Sequence, residues 1–555
     1  MIKSDPSSLI QLNERLRSEA SGMQRLWTET ARYCLTRKVS SIVTATGSST
    51  TNDSNLTTSQ LALLNTVAVD ANMTLAAGLM SWIMPFGGRW FSWKPAPEQK
   101  DNERVADWLS ACSEIALNEL EFSNYYDRAH EVMLDRGTAG TASLYRVTGG
   151  PTTLHFETWD VGSYVIGEDC YGVVDKIFRE FERTADQAES EFDILPPTVQ
   201  SNLKSNKPNE KDRYIHAIFK RSDKDRAGKT GPLGMPIASV YIHKASKMVV
   251  RESGFERLPC NITRHLRWSS ASAYGCSPAM VALAEIKGVQ YLELLMSTLA
   301  EVQVNPRMIL PQNFQGNPDL SAGGITMGGL TRDSYPQEWM TGGRIDYGEA
   351  FITRKEQAIK RAFYSNMFSL FSDRPGDMNI PHVDALQAEQ LGKISPAFTS
   401  LTTSFTNPVL EDCFMTLYNA GRFPPPPREA FVNDALGRPM LLFPRVAQTN
   451  RMSKEIERAK AGSFAGILQT AAAMQQAGMP VLDNLDGDQS YRGMMTDAGL
   501  RDWLKTPEER DRLRQQRQME QQAAQQREML MQAAKSSEIV KQVAGAVGGG
   551  EQQVA

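Results

Sequence analysis

The sequence predicts a mainly helical α+β protein, and three observations carry that expectation. Apolar residues recur at helical spacing toward both ends of the chain. Residues 142–253 instead alternate apolar and polar side chains between glycine breaks, as strands in antiparallel ribbons do. Helical patterns at 277–304 and 350–371 bracket a Gly- and Pro-rich insertion, so two sequential helices should lie side by side with the insertion leaving from their far end.

The N-terminal elements read as helices over 8–35, 57–84, 101–121 and 124–137, the first beginning near Ser7 or Ser8. In the third, Val105, Trp108, Leu109, Cys112 and Ile115 keep the spacing of one helical face. The uncharged run MTLAAGLMSWIMPF, 73–86, is too short for the roughly twenty residues that a bilayer needs, and is expected to be a buried core helix without membrane insertion. Strand patterns follow over 142–147, 154–184, 214–221 and 237–253.

Ser277 and Pro278 start the long helix to 304 as cap and first-turn proline. After the second helix, residues 372–384 hold Gly and Pro among polar residues and read as a loop. A helix from 382 to about 420 contains Pro396 and Pro408, which should kink it, and ends at Gly421 before the stiff exit RFPPPP. Near the end, Thr506, Pro507 and Glu509 form a capping-box start. The helix that follows, to about 543, carries only a thin stripe of Leu513, Met519, Ala523, Leu530 and Ala534. Such a stripe suits either a solvated tail or a helix packing on copies of itself.

Composition and motifs narrow the function. With 555 residues, 41% hydrophobic, 22% charged and a formal net charge of −4, the chain has room for several cores and no basic excess for clamping nucleic acid. Cys34, Cys112, Cys170, Cys260, Cys276 and Cys413 form no CxxC pair, which points to neither a disulfide framework nor zinc and to synthesis in a reducing cytoplasm. Gly228-Lys229-Thr230 ends like a phosphate-binding loop, but Asp223 stands where its leading glycine belongs. Asp483, Asp486 and Asp488 lack the spacing of a calcium loop. His130, His155, His216, His243, His265 and His382 show no HxxxH pair, and no GxSxG occurs. No catalytic residue, metal or cofactor is expected. A nucleotide-driven packaging ATPase and a membrane-associated pore or scaffold stay open as rival classes.

Several stretches, taken in order, resemble the portal, or head-to-tail connector, proteins of short-tailed bacteriophages. These are the small-residue helix of 63–95 with Ala76, Ala77, Gly78 and Leu79 running to Arg89-Trp90-Phe91, then YGCSPAMVALAEIKGVQYLELL at 274–295, and finally 363–427 with its loop, kinked helix and proline exit. Residues 444–459 and the Gln-rich end fit as well, whereas Asn379-Ile380-Pro381 stands where the family has a threonine-rich lead into the kinked helix.

The resemblance implies a portal fold and a ring of roughly twelve subunits at one capsid vertex. It implies an N-terminal wing over 1–276, stem helices at 277–304 and 350–371, a clip at 305–349 and a tunnel loop at 372–384. The kinked wing helix and proline exit would cover 385–427, a crown base 428–505, a C-terminal barrel helix 506–545 and a disordered tail 546–555. Through such a channel duplex DNA is packaged and ejected without sequence specificity, and strong phosphate binding would add friction. The partners implied are copies of the chain, major capsid or scaffold proteins, terminase and tail adaptor proteins, with the virion as location and the host bacterial cytoplasm as place of synthesis.

Candidate residues follow from that layout. Asp373, Arg374, Asp377, Met378 and Asn379 are candidates for a constriction in the tunnel loop, or belong to a plain flexible loop. Arg354, Lys355, Lys360 and Arg361 face the channel, bridge subunits, or pair locally, for example with Glu356. Gly323, Gly324, Gly328 and Gly329 of the clip are candidates for backbone contacts between subunits, or lie in a surface hairpin.

Overall fold

The computed structural model describes residues 5–39, 42, 63–99, 102–269, 272–304, 308–309, 337–338, 345–369, 395–433, 439–450, 509–510, 512–524 and 526–527. The chain divides into two compact units, Met1–Arg451 and Met452–Ala555. The described residues mix helix and sheet, as the composition of patterns predicted.

In the first unit, α1 (Pro6–Cys34) starts at Asp5, whose side chain accepts from the Ser8 N–H, with Pro6 in the first turn. Helix α2 (Val67–Ile83) begins later than the sequence pattern suggested. The physical reason is a tertiary capture of its lead-in: the N–H groups of Leu64 and Asn65 both donate to Gln290 Oε1, at 2.9 and 3.3 Å, instead of entering a helical ladder. Strand β1 (Phe91–Lys94), α3 (Glu103–Phe122) and α4 (Tyr125–Ala139) follow. Helix α4 stops at Gly140, whose φ of +75° suits a residue without a Cβ.

Two sheets come next. Strands β2 (Thr141–Arg146), β3 (Phe156–Thr158) and β9 (Cys260–Arg264) form an antiparallel sheet in the order β3-β2-β9. Between them in sequence, β4 (Tyr164–Glu168), β5 (Val174–Thr184), β6 (Lys211–Lys220), β7 (Ile237–His243) and β8 (Met248–Phe255) make a five-stranded antiparallel meander. The expected alternation fails in β6, where Tyr214 to Phe219 are all buried. Both faces of this sheet are covered: α1 lays Leu9, Leu16, Met23 and Trp27 into a core with Phe178, Ile215, Ala217 and Val240. On the other face α5 (Ala185–Glu191) and α6 (Pro197–Lys204), two short helices unforeseen within a strand-rich region, pack Ala188, Phe192 and Val199 on Tyr214 and Val250. A strand covered on both faces reads as one apolar run, not as an alternation.

The helix expected at 277–304 is broken once. Ser277 caps a single turn, Pro278–Val281, and after Ala282 the main helix α7 runs from Leu283 to Val304. Its partner α8 spans Ile345–Ala362, so the helix expected at 350–371 starts earlier and ends earlier. Phe363 and Tyr364 turn the chain, Tyr364 with φ +56°, into the short α9 (Ser365–Ser369). Residues 395–401 are helical, 402–406 form a π turn, and α10 (Asn407–Asn419) continues. Pro408 has no N–H to donate, and the wider turn just before it absorbs the mismatch that the sequence had marked as a kink.

Residues 428–450 belong with the first unit. Strand β10 (Phe431–Asn433) pairs with β11 (Pro439–Leu441), and β12 (Arg445–Gln448) pairs antiparallel with β1, Phe91 opposite Gln448. In the second unit the described residues between 509 and 527 are helical and largely exposed, Leu513 at 36% and Met519 at 64%.

Candidate inter-subunit and channel surface

Helices α7 and α8 pack against each other, and α8 and α9 also rest on α2. The contact is anchored low on the pair, where Ile286, Val289, Ile359 and Phe363 are buried. Lys355 Nζ reaches Glu285 Oε2 at 2.6 Å across the two helices. Asn65 ties both together, its Nδ2 donating to Glu293 Oε1 at 3.1 Å and to Glu356 Oε1 at 2.8 Å. Glu356 is therefore held by Asn65, and the local pairing considered for it is replaced by this bridge.

Above that base the pair is bare. At 1.5 Å per residue α7 is roughly 33 Å long, yet its buried residues are Ile286 and Val289. In LAEIKGVQYLELLMSTLAEVQV, Gln290, Glu293, Ser297 and Glu301 share one polar stripe, and apolar side chains occupy most of the remaining surface, more than contact with α8 alone would need. Tyr291 is 61% exposed, Leu294 52% and Leu295 46%, and Tyr347 and Phe351 of α8 stand out likewise. This surface was not singled out among the candidate residues. Its signal was the breadth of the apolar arc on 283–304.

Arg354, Lys360 and Arg361 are exposed on α8, and among the described residues no carboxylate lies in ion-pair reach of them. Arg354 and Arg361 share a helical stripe with Tyr347 and Phe351, being spaced by seven and by three or four residues. Lys355 differs, because its charge is answered within the chain by Glu285. The constriction candidates Asp373, Arg374, Asp377, Met378 and Asn379, and the clip candidates Gly323, Gly324, Gly328 and Gly329, lie outside the described residues. Within 305–349, Met308–Ile309 pairs antiparallel with Gln337–Glu338.

Where α8 ends, a buried basic group supports the turn. Arg136 of α4 is 1% exposed and donates to the carbonyls of Arg264, at 3.4 Å, and Ala397, at 3.2 Å, while its Nη1 has no partner among the described residues. Burial lowers its pKa to about 10. Burial and then Arg136 push the neighbouring His265 down to about 3, so that ring is neutral, and it lies 6.4 Å from the Tyr364 ring. On the other side Ser365 Oγ donates to Ala71 O, and Phe368 lies against Gly78 of α2. The end of the helix pair is thus seated on α2 and α4 by buried contacts, while its upper part projects bare.

Comparison with known proteins gives a consistent result. Residues 7–502 match the family model described as bacteriophage head to tail connecting protein. The chain is 27% identical over 534 residues to the probable portal protein of Bordetella phage BPP-1, covering 92% of this chain and 90% of that protein. It is 24% identical over 476 residues to the portal protein of Salmonella phage epsilon15, covering 83% and 84%.

Proposed function

The chain belongs to the bacteriophage head to tail connecting proteins, and on that premise we propose that copies of it close into a ring of about twelve around a channel for duplex DNA. Its role is structural, that of a phage portal or connector. The observation that carries the ring is the bare, broadly apolar side of α7, with Tyr291, Leu294 and Leu295 exposed, as Tyr347 and Phe351 of α8 are. At about 25 cal/mol per Å2, covering such side chains in a ring stabilises each contact by several kcal/mol. A heterologous contact that closes by rotation repeats this gain at every subunit.

In this reading α7 and α8 are the stem, 305–344 the clip between them, and 372–384 the tunnel loop. The part up to 276 and the kinked helix through 427 form the wing. The crown base, expected over 428–505, is read here as starting beyond Arg451, a reading that the pairing of β12 with β1 and the division of the chain at Arg451 support. The helix from 506 to 545 would form the barrel, where side-by-side copies give a thin stripe the neighbours it lacks alone. Arg354, Lys360 and Arg361 are assigned to the channel wall or to the next subunit, and a few such charges leave DNA free to slide. Capsid or scaffold proteins, terminase and tail adaptors are the proposed partners, and the virion the proposed location.

Negative-stain electron microscopy with native mass determination on the purified chain tests the reading. Rings with a central hole and a mass near twelve copies are expected. A compact monomer that hydrolyses ATP would overturn it.

A further inference from the structure

Helix α2 carries a second uncovered face. Its inner side is buried through Ala71, Leu75, Leu79 and Trp82, but its outer side leaves Met73 53% exposed. The C-terminal half of that side borders a cleft of about 550 Å3 against the junction of α3 and α4. Ala77, Met80, Met84 and Phe86 give the cleft an apolar wall, and Glu121 and Asp127 stand on its opposite side. Phe86 is 73% exposed, and Phe122, at 86%, stands between the lining residues Glu121 and Ser123.

The charged residues that line the cleft, Glu121 and Asp127, have one sign. Asp70, seven residues before Ala77 on the same helical stripe, extends the acidic edge. Among the described residues no Lys or Arg lines the cleft. The two nearest arginines in sequence are engaged elsewhere: Arg128, next to Asp127, pairs with Glu131 at 3.0 Å, and Arg89 is turned to Ser110 Oγ at 3.0 Å and Glu114 at 3.8 Å. The structure of the rim is itself firm: Tyr126 accepts from Trp90 Nε1 at 3.1 Å and packs edge-on against Phe86, with ring centroids 5.2 Å apart.

We propose that this acid-edged, methionine-lined face of α2 docks an amphipathic helix of a partner protein whose apolar side is flanked by Lys and Arg. Unbranched methionines adapt to varied apolar side chains, and a groove beside a helix receives anchors spaced three or four residues apart. The carboxylates select the sign of the flanking charge and speed encounter. They also disfavour phosphate-rich partners, so nucleic acid and anionic lipid surfaces are poor occupants. The inference stands apart from the portal reading and holds or fails without it.

The test uses the full chain with two fluorescein-labelled helical peptides of about 18 residues, five turns long. One is built of Leu and Lys, the other of Leu and Glu in the same pattern, and binding is followed by anisotropy. The Leu/Lys peptide should bind at least about tenfold more tightly, a preference that falls with salt. Combined Asp70→Asn, Glu121→Gln and Asp127→Asn should erase the preference, and Phe86→Ser should weaken binding of the Leu/Lys peptide about tenfold. All four positions are exposed or half-buried, and far-UV circular dichroism checks that the variants fold. Absence of binding, equal binding of both peptides, or binding indifferent to both variants overturns the proposal. So does a change in oligomer mass on Phe86→Ser with peptide binding intact, which would give the face to a second copy of this chain.

Discussion

Arg146 of β2 holds Asp412 of α10 through two bonds, Nη2 to Oδ1 at 3.1 Å and Nε to Oδ2, across 266 residues of sequence and away from solvent. This pair fastens the helix that follows the π turn to the sheet next to α4. Breaking a buried pair from one side leaves the other charge uncompensated, a loss of about 3–5 kcal/mol. Asp412→Ala should therefore lower the unfolding free energy of the purified chain by about that amount in urea titration. Replacing both residues together should cost clearly less than the sum of the single changes; additive losses would show that the two side chains act independently.

The exposed faces of α7 and α8 should matter to assembly and not to the folding of one chain. Leu295→Lys and Phe351→Lys alter side chains that are 46% and 54% exposed, so each should move the melting temperature of the monomer little. Each should nevertheless reduce the yield of rings by tenfold or more in analytical ultracentrifugation, since a charge at a packed subunit contact is desolvated. Unchanged ring yield with both variants would remove these residues from the interface.

Acid should weaken the first unit through its buried histidines. Burial, with Arg179 and Arg251, holds His216 well below 6.5, and burial with Arg136 holds His265 at about 3. Below pH 6.5 the unfolded chain binds protons that the folded chain refuses. Stability present at pH 7 is therefore lost as the pH falls, by about 1.4 kcal/mol per unit for each ring until its folded pKa is reached. Asp135, lifted to about 6 by burial, has the opposite sign between 3.8 and 6, but it is common to wild type and variant. The measurement is thus the difference between wild type and His265→Gln in unfolding free energy at pH 6, 5 and 4. Wild type should lose ground at about 1.4 kcal/mol per unit, and parallel curves would mean that His265 titrates normally.

Gly78 is the seat of α9. A Cβ placed there would lie 2.4 Å from Phe368 Cδ1, so Gly78→Val must push the ring out of its place, at a cost of about 1–3 kcal/mol. Hydrogen exchange of residues 365–369 should accelerate in this variant, and Phe368→Ala in the same chain should recover part of the lost stability. If Gly78→Val leaves exchange and stability as they are, α9 is not seated on α2 through this contact.

Much of the architecture was legible in the residues. Ser277 and Pro278 mark a helix start because their effects are local: a side-chain acceptor for a free N–H and a fixed φ. The candidate surface was legible in part. Arg354, Lys360 and Arg361 were named from the sequence, whereas the apolar group of Tyr291, Leu294, Leu295, Tyr347 and Phe351 was not. An exposed leucine and a core leucine look alike in a string of letters, and only accessibility separates them.

The sequence by itself determined that this chain is a mixed helical and stranded protein with a helix pair around an insertion, and its ordered motifs pointed to the connector family. Periodicity and capping suffice for that, since they act over a few residues. Tertiary structure alone decided that α2 starts at Val67 under the hold of Gln290, that Lys355 answers Glu285 and not a residue of its own helix, and that β12 returns to β1. Each of these joins residues tens to hundreds of positions apart, where the gain comes from burying surface and satisfying polar groups together, and no local pattern records who the partner will be.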